Sequence, residues 1–180
     1  MVKRPRLWRY GLYLLLAYLL APPLAADTVT RNFTVTATIA NGCIFGSSGS
    51  GGSGNLGTIN FGTLANVANV VDAASTVGAG SLVVTCTPGM AVSIALNGGV
   101  NGGSNAQRYL INSGGTRTLA YQLYQDAARS TVWGTGALAR SIASFPATTQ
   151  TLTVYARLLS NGTPPPAGSY SDTVTVTLTW

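Results

Sequence analysis

Few side chains in this 180-residue sequence can do chemistry, and their spacing limits what that chemistry is. Beyond residue 26 there is no histidine, lysine or glutamate, so acid–base work falls to Asp27, Asp72, Asp126 and Asp172, and the only thiols are Cys43 and Cys86. A paired-carboxylate hydrolase would have to use Asp126 and Asp172. Both stand beside expected turns or strand ends, where aspartate ordinarily accepts backbone N–H groups. No nucleophile elbow, phosphate loop or metal-ligand spacing occurs, and two thiolates without histidine make an incomplete zinc site. The expectation is a protein that is not an enzyme and takes no metal or cofactor. Tyr121, Tyr124, Trp133 and Tyr155 offer surfaces on which a sugar could stack, as in a lectin-like module. Tyr121 and Tyr155 fall within strand patterns, however, which favours places in the core or at its rim. Asp126 and Arg129 are spaced to pair across the turn that leads to Trp133.

The first nine residues carry Lys3, Arg4, Arg6 and Arg9, and an apolar run over 11–20 then leads to Ala21-Pro22-Pro23-Leu24-Ala25-Ala26. This is the pattern of a signal peptide, residues 1–26, cut after Ala26. The run is short of the roughly 20 residues a membrane span needs, and two prolines break it. Residues 27–180 carry six arginines against four aspartates, so most of the formal +6 of the whole chain belongs to the leader. Arg31, Arg108, Arg117, Arg129, Arg140 and Arg157 form no run and no stripe interleaved with aromatics, which argues against nucleic acid as a partner. Export places Cys43 and Cys86 where a disulfide forms and persists. Closing the loop between them would contribute roughly 4 kcal/mol in the chain-entropy account; two separate buried thiols are the alternative.

The elements that must position these groups are strands, because strand signals recur throughout and helical signals are nearly absent. Residues 28–39 alternate, with Val29, Phe33, Val35, Ala37 and Ile39 on one face, Arg31 interrupting that face, and Asn32 with the threonines on the other. The Gly/Ser stretch 46–54 reads as a loop. Further strands are expected at 57–64, 81–87, 91–96, 109–112, 116–125, 149–159 and 170–179, with 67–79 either crossing between sheets or holding a helical turn. Seven or eight strands in one exported domain predict a β-sandwich. Along 170–180, Tyr170, Val174, Val176, Leu178 and Trp180 share one face, Asp172 breaks the series, and Ser171 with four threonines occupies the other. A sandwich ending on such a strand either pairs it on both sides or leaves a groove beside it. The twelve residues 28–39, fully extended, reach about 40 Å, enough to run the length of a sandwich, in their own domain or in a neighbour's.

Four segments carry a resemblance. Gly57-Thr58-Ile59-Asn60-Phe61-Gly62, Leu82-Val83-Val84-Thr85-Cys86, Tyr121-Gln122-Leu123-Tyr124-Gln125-Asp126-Ala127-Ala128-Arg129 followed by Trp133-Gly134, and Pro166-Ala167-Gly168-Ser169-Tyr170-Ser171-Asp172-Thr173-Val174 resemble the spore coat protein U domain family. That family includes pilin subunits of archaic chaperone-usher pili. The resemblance implies an all-β, incomplete immunoglobulin-like β-sandwich over 40–180, completed by a donated N-terminal strand over 27–39. A periplasmic chaperone fills the groove during export, and at an outer-membrane usher the extension of an identical or related subunit replaces it. Carried onto this sequence, Val29, Arg31, Phe33, Val35 and Ala37 are the donor strand. Tyr170, Val174, Val176, Leu178 and Trp180 form a wall of the acceptor groove, and the Trp180 carboxylate is held by basic residues of the chaperone. The implied function is a structural subunit of a surface fimbria, serving adhesion or biofilm formation, with no stable membrane insertion once the leader is cut. A self-complemented spore or cell-surface coat protein, closed by its own N-terminal strand, is the alternative.

Overall fold

The computed structural model describes residues 27–46 and 55–180; the leader 1–26 and most of the Gly/Ser stretch lie outside the described residues. The chain divides into two units, Met1–Thr38 and Ile39–Trp180. In the first, residues 27–38 form no strand, and both faces of the alternation are exposed, Phe33 by 87%. Alternation alone does not make a strand, because a lone extended segment has no ladder to satisfy its backbone.

The second unit is all-β. Its strands are β1 Cys43–Phe45, β2 Val71–Ala74, β3 Leu82–Cys86, β4 Val92–Leu96, β5 Arg108–Asn112, β6 Thr118–Tyr124, β7 Arg140–Ile142, β8 Gln150–Leu152, β9 Tyr155–Leu158, β10 Tyr170–Ser171 and β11 Val176–Thr179. They pair antiparallel in three sheets, of order β1-β3-β8, β10-β5-β6-β9-β2 and β11-β4-β7. The period of two is clearest in β3 and β4, where Leu82, Val84 and Cys86 and then Val92, Ile94 and Leu96 are buried and the residues between them are half-buried. Their inward faces meet Leu119, Tyr121 and Leu123 of β6 and Ala156 and Leu158 of β9 in one core. Trp133 and Phe145 enter that core from connecting segments, both essentially fully buried, and the Trp133 Nε1–H donates to the Ile94 carbonyl at 2.8 Å.

Several expected strands differ from what forms, each for a local reason. Residues 57–64 hold no strand. Gly57 and Gly62 adopt φ of 95° and 85°, and the Asn55 and Asn60 side chains accept their N–H groups at 2.9 and 2.8 Å. Those Asx turns redirect the backbone, while Ile59 and Phe61 still pack on the core. The stretch 149–159 is two strands, because the chain leaves β3 after Leu152 and joins β6 and β2 from Tyr155. Ser75 holds the switch, its Oγ accepting Val154 N–H at 2.8 Å and its own N–H donating to Val154 O at 2.9 Å. The stretch 170–179 is likewise two strands, β10 on β5 and β11 on β4, with a crossing over 172–175. The segment 67–79 contributes β2 rather than a helical turn, and β1 and β7 form where no strand was expected.

Candidate functional site

The last crossing opens a groove. A cavity of about 680 Å³ runs from Phe45 of β1 and the 55–61 segment to residues 172–176, floored by Leu96, Leu110, Leu123 and Val154 among others. β11 has one sheet neighbour, β4, and β1 has one, β3, so among the described residues each presents an unpaired edge. Apolar side chains make up most of the lining, with Asn55, Thr58, Asp172, Thr173 and Thr175 among them, and the groove reaches β1 at Phe45 and β11 at Val176.

The sequence-predicted residues are distributed unevenly about this groove. Val174 and Val176 line it, and Leu178 packs against the core further along β11. Tyr170, in β10, packs on the core and donates its hydroxyl to Pro166 O at 3.0 Å. Trp180 is 57% exposed and borders a separate shallow hollow with Val92 and Ile142. The alternation read along 170–178 persists through the crossing, the odd-numbered positions being exposed. Val29, Arg31, Phe33, Val35 and Ala37 are all exposed, and the Arg31 guanidinium donates to Thr30 O at 2.9 Å.

Cys43 and Cys86 form a disulfide, with S–S at 2.07 Å. They stand opposite one another in the β1–β3 ladder, so the bond ties the short β1 edge, and with it Phe45, to the sheet.

Sequence reasoning missed the polar structure under the groove's far wall. Asp172 lines the groove; its Oδ2 accepts the Tyr121 hydroxyl at 2.6 Å, and its Oδ1 accepts the N–H of Val100 and of Thr173 at 3.0 and 2.9 Å. Burial first, and then the bond to Asp172, push the Tyr121 hydroxyl pKa well above its ordinary value. Beside it Arg108 is completely buried. Its Nε donates to Asn97 O at 2.8 Å, its Nη2 to Leu96 O and Trp133 O at 3.2 and 2.8 Å, and its Nη1 to Gln122 Oε1. Burial lowers the Arg108 pKa, yet carbonyls surround the fork on three sides and satisfy it. The sequence signal was faint: an arginine opening an apolar strand.

Other polar expectations are corrected by the geometry. Asp126 does not pair with Arg129. Its carboxylate accepts Ser130 N–H and Oγ–H, both at 3.1 Å, and Thr131 N–H at 2.7 Å, which hold its pKa below the usual carboxylate range. Arg129 turns to Asp72 at 3.2 Å, and Arg157 meets the same carboxylate at 2.7 Å, so two arginines converge where no cluster was expected. The hydrogen bond from Arg157 is the main cause of a lowered Asp72 pKa. Asp126 and Asp172 share no hydrogen-bond partner, and both accept backbone N–H groups, as expected of aspartates beside turns and strand ends. Tyr121 and Trp133 are core residues and present no open stacking surface.

Fold and groove together define an immunoglobulin-like β-sandwich with an open, largely apolar cleft. The model of the Spore Coat Protein U domain matches residues 29–177, and the chain belongs to that family. Among solved structures it is similar to the CsuC–CsuE chaperone–tip adhesion subunit pre-assembly complex from archaic chaperone-usher Csu pili of Acinetobacter baumannii. The identity is 24% and the TM-score 0.51, over 79% of this chain and 40% of that one. A chaperone–tip adhesin complex of CFA/I fimbriae biogenesis matches at 16% identity and a TM-score of 0.44, over 77% of this chain and 41% of that one. At these identities the likeness is one of fold. The chain thus spans about 40% of the length of the structures it matches. No curated protein matches it. Among the described residues no helix is long and apolar enough to cross a membrane.

Proposed function

We propose that this chain is a structural subunit of a surface pilus, polymerised when residues 28–39 of one copy fill the groove of the next. The observation that carries the reading is the groove itself: a largely apolar trough that reaches β1 at Phe45 and β11 at Val176, two strands each paired on one side, in a chain that also displays an alternating, exposed segment with no ladder of its own. Val29, Phe33, Val35 and Ala37 would enter the groove. Each large side chain fully buried is worth about 1.5–3 kcal/mol, and the donated backbone would pair with the free edges. Such a joint needs no covalent bond to last. Until it forms, an open groove beside valine-rich strands invites aggregation, which calls for a periplasmic chaperone before transfer at an outer-membrane usher. Family membership and the similarity in fold to a subunit held in a chaperone complex support these partners. In this reading the subunit is not an enzyme. It is exported behind its leader to the cell surface, where the fibre serves adhesion or biofilm formation.

The test is the size distribution of the chain from Asp27 onward, purified from a periplasm, beside a version lacking residues 27–37. Heat- and detergent-resistant ladders that vanish on truncation are expected. A stable monomer that loses stability on truncation would instead mean that the strand closes its own domain, and the pilus reading would fall.

A further inference from the structure

The crossing between β10 and β11 poses a problem of register. Residues 172–175 leave one sheet before joining another, so they have no strand ladder, yet Val174 and Val176 must both face the groove. A slip of one residue would turn the threonines inward. The loop between β4 and β5 supplies the missing ladder. Asn97 exchanges two hydrogen bonds with Thr175, its N–H donating to Thr175 O at 3.0 Å and its Oδ1 accepting Thr175 N–H at 2.9 Å, which mimics a strand pair. The Val100 N–H donates to Asp172 Oδ1, and Asn101 Nδ2 donates to Ser171 O at 2.9 Å and to Tyr109 O at 2.9 Å.

The loop is itself held from beneath. Arg108 Nε fixes the Asn97 carbonyl, and Asn97 Oδ1 also accepts Gly99 N–H at 3.1 Å. Gly99 adopts φ of 83°, and a Cβ there would collide with the Asp172 carboxylate, so the loop approaches the crossing as closely as backbone allows.

We infer that the β4–β5 loop, through Asn97 and Asn101, is a positioning device that fixes the register of residues 171–176 and so presets the groove wall before any strand arrives. The inference rests on the groove being the site of strand donation. Asn97 and Asn101 touch no incoming strand in this account; they act through Ser171 and Thr175. The consequence is a groove already shaped for its occupant, which lowers the ordering cost of docking.

The test uses the full chain from Asp27 onward carrying Asn97→Ala, with Asn101→Ala as a milder second variant and Asp72→Asn as a remote control. Amide hydrogen exchange is read at 173–176 and in β6 and β9, and polymer formation is followed at a temperature where the monomer stays folded. Expected are at least a tenfold rise in exchange confined to 173–176 and at least a tenfold slower polymerisation, with the control unchanged in both. Exchange that is unaltered at 173–176, or raised equally in β6 and β9, overturns the inference, as does unchanged polymerisation despite a loosened crossing. Should Asn97→Ala fail to fold, Asn101→Ala decides by the same criteria. If the unsubstituted chain forms no polymer, strand donation falls, while the exchange pattern still judges the loop's hold on the crossing.

Discussion

The Tyr121 hydroxyl donates to Asp172 Oδ2 at 2.6 Å, joining the centre of β6 to the point where the chain leaves β10 for β11. The phenol ring also meets Phe61 edge-on, with centroids 6.4 Å apart, so one side chain links the 55–61 segment to Asp172 across the groove. Because folding raises the Tyr121 pKa, its contribution is fully present below the ordinary tyrosine value near 10 and is lost as pH rises beyond it. Tyr121→Phe should cost about 1–2 kcal/mol at pH 7 by leaving Asp172 short of a donor. It should also flatten the alkaline loss of stability, which urea unfolding at pH 7 and pH 10.5 would measure.

Arg108→Met should be the most damaging polar substitution. It strips the guanidinium donors from the carbonyls of Leu96, Asn97 and Trp133 and leaves the buried Gln122 Oε1 with the Leu123 N–H as its one remaining donor. A loss of about 3–5 kcal/mol is expected. Arg108→Lys should recover little, because an ammonium cannot reproduce the fork. Chemical denaturation of both variants is the check.

Phe33→Asp should leave the unfolding midpoint of the monomer unchanged, since Phe33 is exposed there. Under the proposed function it should abolish detergent-resistant ladders by placing a carboxylate in an apolar groove. A substitution with the reverse pattern, harmless to ladders and costly to the monomer, would count against donation between chains.

Cutting the Cys43–Cys86 bond by Cys43→Ser with Cys86→Ser should cost about 4 kcal/mol in the chain-entropy account. The three-residue β1 should then loosen first, because it has a single sheet neighbour, β3, and no residue of it is fully buried. Hydrogen exchange at Ile44 and Phe45 would register it.

Acid should weaken the protein below the usual carboxylate range. Asp72 and Asp126 both have lowered folded-state pKa values, so their stabilisation is complete above the ordinary value of 3.8 and is lost as pH falls through the lower, folded one. Asp72→Asn should reduce stability slightly at pH 7, the carboxylate itself being solvent-exposed, and make the acid loss shallower. Thermal midpoints between pH 2 and pH 6 would show it.

Much of this protein was legible without coordinates. Period-two alternation located β3, β4, β5 and β6 within a residue or two, because a strand with one buried face must write that face into its sequence. The same logic placed Val174 and Val176 together, and export made a Cys43–Cys86 bond readable. Tertiary structure alone decided the rest. Residues 149–159, and 170–179 apart from Asp172, keep their alternation throughout, and that period does not tell that each changes sheets midway, since a strand that switches partners keeps its own period. Residues 28–39 alternate equally well and form no strand, because the partner that makes an extended segment a strand is not encoded in the segment. Arg108 looked like one dispersed charge among six. Only folding brings the carbonyls of Leu96, Asn97 and Trp133, distant along the chain, around one guanidinium, and so turns a surface residue type into the support of a groove wall.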